Sequence, residues 1–145
     1  MKSPEALTEA FRARGLKVTP QRQAIFRALH ENREHPSAES VYEQVAVEMP
    51  TISLRTVYQT LGDLAEMGEI LQLDLGTGAA RFDSNIDAHH HLVCGRCGMV
   101  RDVFVDHPDV RPSSPGSDGF RVTGTEIVFR GLCASCAGAT EASAR

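Results

Sequence analysis

The four cysteines of this 145-residue chain form two Cys-x-x-Cys pairs, Cys94 with Cys97 and Cys133 with Cys136. A Cys-x-x-Cys turn brings two thiolates to one metal ion, and two such turns complete the tetrahedral four-sulfur shell of structural zinc sites. A redox dithiol or free buried thiols are the alternatives, but paired spacing with no cysteine left over favours zinc. Because four thiolates leave no open coordination position, we expect this zinc to stabilise the fold and not to take part in chemistry.

A second group of candidate metal ligands precedes the first cysteine pair. His89 and His91 alternate in a predicted strand and project from one face, whereas His90 projects from the other and is predicted to be solvated. If the strand after the cysteine turn pairs with this one, Asp102 comes beside the two histidines, and Asp83 ends a strand just upstream. Imidazole and carboxylate ligands are harder than thiolates and suit Fe(II), Mn(II), Co(II) or Zn(II). The clustering favours a second metal site over ordinary surface or core histidines.

The elements that must position these ligands begin with four predicted helices. Apolar residues recur every three or four positions in each of them, and Thr19, Ser37 and Ser53 precede three of them as N-caps. The stretch EILQLDLGTGAARFD then predicts a β-hairpin with a glycine-rich tip, which completes a winged helix-turn-helix pattern. The predicted helices span residues 4–14, 20–31, 38–49 and 54–67, and the hairpin spans residues 69–83.

The sequence changes character after residue 89, where β-type runs replace helical periodicity. Within this part, prolines in the segment 106–119 leave no room for a regular helix. We therefore predict an α+β protein with two domains. The predicted divisions are residues 1–83 for a winged-helix domain, 84–88 for a polar hinge, 89–137 for a metal-binding domain and 138–145 for a disordered tail.

Composition argues against several functional classes. Hydrophobic residues make up 41% of the chain, and no apolar run is long enough to span a membrane. The amphipathic, acid-containing N-terminus does not look like a signal peptide, so we expect a cytoplasmic protein. Gly-Thr-Gly at residues 76–78 is a hairpin tip and not a phosphate loop. Without a nucleophile triad or cofactor loop, a metalloenzyme is disfavoured, and so is a purely structural zinc protein if the second metal site is real.

The fourth predicted helix is the candidate for reading DNA. The net charge of −4 gives no global attraction to nucleic acid, so binding would depend on local positions. Arginine can read guanine, glutamine can read adenine, and tyrosine or threonine can touch a thymine methyl or a phosphate. The alternative is that Arg55 and Arg22 are only solvated helix charges. The candidate contacts on this helix are Ser53, Arg55, Thr56, Tyr58 and Gln59.

Six ordered motifs resemble those of a known family: LKVTPQRQAIF, EHPSAESVY, SLRTVYQTL, RFD, HHHLVCGRCG and GLCASC. The chain is similar to the ferric uptake regulator (Fur) superfamily of metal-dependent repressors. The resemblance implies a winged-helix DNA-binding domain, a small C-terminal α/β dimerisation domain with antiparallel strands, a homodimer, and an AT-rich inverted repeat as the DNA partner. It also implies structural zinc on the four cysteines. Around the start of the second helix it adds Arg14, Lys17, Gln21 and Arg22 as DNA contacts.

The resemblance recruits one further ligand, His35, which the residue pattern alone would leave in a loop. In the family a regulatory metal bridges the two domains and couples metal binding to DNA binding. The strand VTGTEIVFRG carries no histidine, so no third metal site is expected. The implied regulatory ligands are His35, Asp83, His89, His91 and Asp102.

Aspartates at both carboxylate positions, Asp83 and Asp102, resemble the peroxide-regulator (PerR) branch, and the C-terminal stretch also resembles actinobacterial members. In that branch Fe(II) reacts with hydrogen peroxide, a ligand histidine is oxidised and DNA is released; the residues implied here are His35 and His89. The implied function is a repressor of oxidative-stress genes, with structural zinc and regulatory Fe(II) or Mn(II), and no small-molecule substrate beyond metal and peroxide. An iron-availability repressor is the alternative.

Overall fold

Four helices, each starting behind a serine or threonine, make up most of the first of two units. The computed structural model describes residues 1–106, 110–113 and 116–138. The chain divides into the units Met1–Asp87 and Ala88–Arg145. The predicted tail, apart from Gly138, lies outside the described residues, and the predicted hinge at 84–88 stays a prediction. The helices are α1 (Pro4–Ala13), α2 (Pro20–Leu29), α3 (Ala38–Glu48) and α4 (Leu54–Glu66).

The predicted N-caps are confirmed. The hydroxyl oxygens of Thr19, Ser37 and Ser53 accept hydrogen bonds from backbone N–H groups three residues later, at 3.1 to 3.2 Å. Each of these bonds satisfies a donor that the first helical turn leaves unpaired. Helix α2 ends two residues earlier than predicted, because His30 adopts an extended backbone and Glu31 has a φ of 57°.

The helices pack their apolar faces into one core. Phe11 and Phe26 meet edge to face with ring centroids 4.8 Å apart, and Ile25, Leu61 and Leu64 are fully buried among the helices. Burial of each such side chain contributes roughly 1.5–3 kcal/mol. The core therefore fixes the directions of α3 and α4, the two helices of the helix-turn-helix.

The predicted hairpin is confirmed and forms the wing. Strand β1 (Leu71–Leu73) pairs antiparallel with β2 (Arg81–Asp83), and Leu71 lies opposite Asp83. Gly76 and Gly78 at the tip have φ values of 70° and 100°, which side chains with a Cβ disfavour. The wing therefore ends at Asp83, one of the predicted metal ligands.

A three-stranded sheet organises the second unit. Its strands are β3 (His90–Cys94), β4 (Val100–Val103) and β5 (Val128–Gly131), in the order β4-β3-β5. The β3–β4 pair is antiparallel as predicted, but β5 runs parallel to β3, with Cys94 opposite Gly131. The predicted β-type run 120–133 forms a strand only over Val128–Gly131, and residues 120–127 are in no regular element. Among the described residues, no helix is long and apolar enough to cross a membrane.

Candidate metal centres and DNA-facing helix

The four cysteines are brought together in the second unit. One sulfur from each lies within 4.8 Å of the others, and the Sγ atoms of Cys97 and Cys133 are 3.8 Å apart. A tetrahedral zinc site with Zn–S bonds of about 2.3 Å has sulfur–sulfur edges of about 3.8 Å. Because β3 and β5 are parallel, the turns that follow them emerge at one edge of the sheet. The donor set and its spacing therefore suit a tetrahedral zinc ion.

Backbone amides stabilise the thiolate form of one cysteine in this cluster, which favours binding of a cation. N–H groups of Cys97, Cys133 and Arg96 stabilise the Cys94 thiolate and lower its pKa from the ordinary 9.0 to about 6. The Cys133 N–H lies 3.4 Å from the Cys94 sulfur. The Cys136 pKa is raised to about 12, chiefly because its thiol donates to Cys133. Four adjacent sulfurs cannot all ionise by themselves, and a divalent cation removes that conflict.

The second unit also contains a cluster of nitrogen and oxygen donors. The Nε2 atoms of His89 and His91 are 3.0 Å apart, and Oδ1 of Asp102 lies 3.2 Å from the first and 3.6 Å from the second. Asp102 faces His91 across the β3–β4 ladder, as the strand-pairing argument predicted. Two donors bound to one metal at about 2.1 Å are separated by about 3.0–3.4 Å. The three atoms therefore fit one ion, and both histidines are buried.

The first unit holds the other two predicted ligands. Nε2 of His35 lies 3.2 Å from Oδ2 of Asp83, and both side chains are buried. Two hydrogen bonds from strand β2 hold the backbone around His35. The Arg81 guanidinium donates to the His35 carbonyl at 3.1 Å, and the Phe82 N–H donates to the carbonyl of Pro36 at 2.9 Å. A neighbouring N–H, that of Asn85, donates to Oδ1 of Asp83 at 2.8 Å, which leaves Oδ2 directed at the histidine.

His35 has a φ of 50°, in the left-handed region that a side chain with a Cβ rarely adopts. Such a conformation costs on the order of 1 kcal/mol or more and persists only where its surroundings hold it. Here the loop is bridged to the wing strand, because Ser37 pairs with Arg81. The sequence carried no local signal for this placement, and His35 entered the ligand set only through the family resemblance.

Two residues near the histidine cluster were not predicted correctly from the sequence: His90 was expected to be solvated, and Glu126 was not among the candidate residues. His90 is half-buried, and its Nδ1 accepts the Ile127 N–H at 3.0 Å, so it is not simply solvated. Glu126 was not a candidate, but its Oε1 lies 3.0 Å from Nδ1 of His91. Glu126 lies in no helix or strand, so the periodicity of the sequence does not indicate which way its side chain points. Its contact with His91 becomes visible only once β5 is known to pair with β3.

The predicted DNA contacts on α4 divide into two groups. The side chains of Arg55 and Gln59 are exposed on the helix surface, as base or phosphate contacts require. Ser53 and Thr56 hydrogen-bond each other through their hydroxyls at 2.9 Å, and so serve the helix cap first. The half-exposed Tyr58 donates its hydroxyl to Glu39 of α3 at 2.6 Å. This hydrogen bond lowers the pKa of Glu39 and raises that of Tyr58.

The predicted contacts around the start of α2 include one with a clear structural role. Arg22 forms an ion pair with Asp63 of α4 at 3.0 Å and donates to the Lys17 carbonyl at 3.1 Å. Its guanidinium carbon lies 5.4 Å from the centre of the Phe11 ring. Arg22 therefore links α2 to α4 and is not a solvated charge, while its contact with DNA stays a prediction. Arg14 and Lys17 are exposed and Gln21 is half-exposed.

Comparison with known proteins gives a consistent result. Residues 13–130 match the ferric uptake regulator family. The peroxide-responsive repressor PerR of Staphylococcus epidermidis is 33% identical over 128 residues, which cover 88% of this chain and 85% of that protein. The fold is similar to that of the Helicobacter pylori ferric uptake regulator Fur, with a TM-score of 0.72 at 19% identity over 92% and 90% of the two chains. Streptococcus pyogenes PerR gives a TM-score of 0.54 at 28% identity over 94% of each chain.

Proposed function

Because the chain belongs to the ferric uptake regulator family, we propose that it is a metal-dependent transcriptional repressor that releases DNA when hydrogen peroxide oxidises a metal-ligand histidine. Members of this family are regulators and not enzymes. One observation carries the proposal furthest: the histidine cluster is completed by an aspartate, Asp102, and a PerR repressor is among the relatives above 30% identity. The regulated genes would be those of the oxidative-stress response.

We propose that the regulatory metal is shared by His35, Asp83, His89, His91 and Asp102. Each unit supplies a part of this set that is already organised, a His–Asp pair in the first and the three-donor cluster in the second. Neither part alone offers enough ligands to fill the shell of Fe(II) or Mn(II), which accept imidazole and carboxylate donors. Binding by both parts would set the orientation of one unit on the other, and so the spacing of the DNA-reading helices in a dimer.

Fe(II) bound there would activate hydrogen peroxide. In the net reaction one oxygen atom of the peroxide would be inserted into an imidazole C–H bond, and the other would leave as water. His35 and His89 are the proposed sites of oxidation. Both rings are buried, so peroxide in solution has little direct access to them, and their oxidation would depend on a metal held beside them. An oxidised ring donates less electron density through nitrogen, which would weaken binding of the metal and free the two units from one orientation. Mn(II) in the same set would support DNA binding without this reaction.

DNA binding is proposed for α4 and the start of α2. The exposed Arg55 and Gln59 would contact bases in the major groove, where arginine pairs with guanine and glutamine with adenine. Arg14, Lys17 and Gln21 would contact the backbone or the minor groove. A two-fold dimer reads two half-sites, so the expected partner is an AT-rich inverted repeat. The proposed location is the cytoplasm, where the chromosome lies.

A homodimer is supported by the exposed apolar surface of the second unit. Phe104 is 80% exposed and Phe129 is 45% exposed, and they line a cavity of about 400 Å³ together with Leu92 and Val103. Large apolar side chains that face water in a cluster mark association surfaces. The four-cysteine zinc site lies in the same unit, so its role would be to hold this sheet in shape.

The decisive experiment is peptide mass spectrometry after a brief peroxide dose on zinc-loaded protein carrying either Fe(II) or Mn(II). We expect a gain of one oxygen on the His35 or His89 peptide in the Fe(II) sample only, with parallel loss of affinity for an AT-rich inverted-repeat duplex. His30, which belongs to neither metal set, is the internal control and should stay unmodified.

Two other results would lead elsewhere. Metal-dependent DNA binding with clean histidines would favour the alternative, a repressor that reports iron availability by binding and losing Fe(II). DNA binding that ignores both Fe(II) and Mn(II) would overturn the regulatory site itself and leave only a structural role for zinc.

A further inference from the structure

Glu126 contacts the histidine cluster through a nitrogen that the cluster does not use. Its carboxylate oxygen Oε1 lies 3.0 Å from Nδ1 of His91, whereas Nε2 of the same ring faces His89 and Asp102. The two nitrogens lie on opposite sides of the imidazole ring, so Glu126 approaches from outside the donor set. A neutral imidazole carries one proton, and the nitrogen without it is the one that can bind a metal.

The backbone holds Glu126 in this position. The His91 N–H donates to the carbonyl of Ile127 at 3.1 Å, and the Ile127 N–H donates to Nδ1 of His90 at 3.0 Å. The next residue, Val128, begins the parallel ladder opposite His91. Both backbone groups of Ile127 are therefore hydrogen-bonded to residues of β3, and this holds the backbone next to Glu126 where its carboxylate reaches His91.

Burial differs between the two partners, and this decides how the contact acts. The His91 side chain is 2% exposed, whereas that of Glu126 is 49% exposed. An exposed ion pair contributes little to stability. A hydrogen bond to one nitrogen of a buried ring, however, decides which nitrogen keeps the proton, because the ring itself has little contact with water. The consequence of the contact is therefore the tautomer of His91 more than the stability of the fold.

We propose that Glu126 is a positioning residue for the regulatory metal: its carboxylate accepts the Nδ1 proton of His91, and so keeps Nε2 unprotonated and directed at the ion. The inference rests on the metal site of the proposed function and adds a residue to it. Carboxylates that bind the outer nitrogen of a ligand histidine fix the ring and raise its basicity, and their loss typically costs about 10–100-fold in metal affinity.

The test uses the full chain with one equivalent of zinc and four proteins: wild type, Glu126→Ala, Glu126→Gln and Asp106→Asn. Asp106 is an exposed carboxylate of the same unit that contacts no ligand histidine in the described part of the chain, so its variant matches the charge change. Nitrogen-15 NMR of the histidine rings at about pH 8.5, two units above the usual imidazole pKa, reports the tautomer of His91 before any Mn(II) is added. Titration with Mn(II) then gives the affinity.

Wild type and Asp106→Asn should show His91 protonated at Nδ1. Glu126→Ala should show a mixture of tautomers and an Mn(II) affinity lower by roughly 10–100-fold. Glu126→Gln keeps an acceptor without the charge and should fall between them. An unchanged His91 tautomer, or an unchanged Mn(II) affinity in Glu126→Ala, would overturn the inference. Wild type that binds no Mn(II) at His91 would instead refute the proposed function, while the tautomer comparison still decides whether Glu126 orients the ring.

Discussion

Asp102 stands directly opposite His91 in the antiparallel ladder of β3 and β4. The ladder fixes the distance between their backbones, so the length of the acidic side chain alone decides how far its oxygen reaches into the histidine cluster. Aspartate places Oδ1 at 3.2 Å from His89 Nε2.

Asp102→Glu is therefore expected to keep metal binding but to change how the bound metal reacts. The extra methylene moves the carboxylate or forces it to bind differently, and the response should shift from peroxide towards iron alone. The measurement is the peroxide dose that halves DNA binding of the Fe(II) protein, with Asp106→Glu as the control. An unaltered dose would show that carboxylate length does not set the sensitivity.

Cys97→Ser should remove the structural zinc. The tetrahedral shell loses one thiolate, and zinc bound to such a shell contributes directly to folding. We expect zinc content to fall well below one per chain, and the melting temperature of the second unit to fall by about 10 °C or more, since each kcal/mol shifts a small domain by about 4–8 °C. Ser135→Ala, which alters a residue of the other Cys-x-x-Cys segment but removes no thiolate, should behave as wild type. Equal zinc content in both variants would contradict the site.

Zinc binding should weaken as pH falls through about 6. The pKa of Cys94 is lowered from 9.0 to about 6, so its thiolate favours the folded cluster above the unfolded pKa and this contribution is lost as the pH drops through the folded value. The raised pKa of Cys136 adds a proton that zinc must displace at neutral pH, so affinity should also rise between pH 7 and 8.5. Chelator competition from pH 5.5 to 8.5 measures both trends. A flat profile would show that the thiols bind without losing protons.

Arg55→Ala should weaken binding to the operator. A single bidentate arginine–guanine contact is worth about 1–3 kcal/mol, which corresponds to a loss of roughly 5- to 150-fold in affinity. Arg27→Ala removes an exposed arginine that pairs with Glu48 on another part of the unit, and it should leave binding within twofold. Fluorescence anisotropy at two salt concentrations separates a base contact, which alters sequence preference, from a phosphate contact, which alters the salt slope. Equal affinities of Arg55→Ala and Arg27→Ala for the operator would show that Arg55 of α4 does not contact the DNA.

The sequence predicts most of the first unit because its signals are local. Caps such as Thr19 and Ser53, helical periodicity and a glycine-rich turn each act within a few residues, and the structure reproduces them. The cysteine cluster is predictable for the same reason, since paired spacing constrains the geometry. What the residue pattern could not give depends on long-range pairing: the parallel direction of β5, the contact of Glu126 with His91 and the left-handed backbone of His35.

The strand β3 connects the two metal centres within one short element. His89 directly precedes β3, His91 lies near its start and Cys94 ends it, so only a few residues separate the two sets of ligands. The cysteine turns close the far end of both β3 and β5, and Glu126, which contacts His91, lies two residues before β5 begins. Loss of zinc would therefore loosen the β3–β5 ladder at its cysteine end. This loosening would disturb the histidine cluster although none of its ligands had changed. On the proposed function, a cell short of zinc would lose the response to peroxide while the protein and the proposed regulatory ligands were still present.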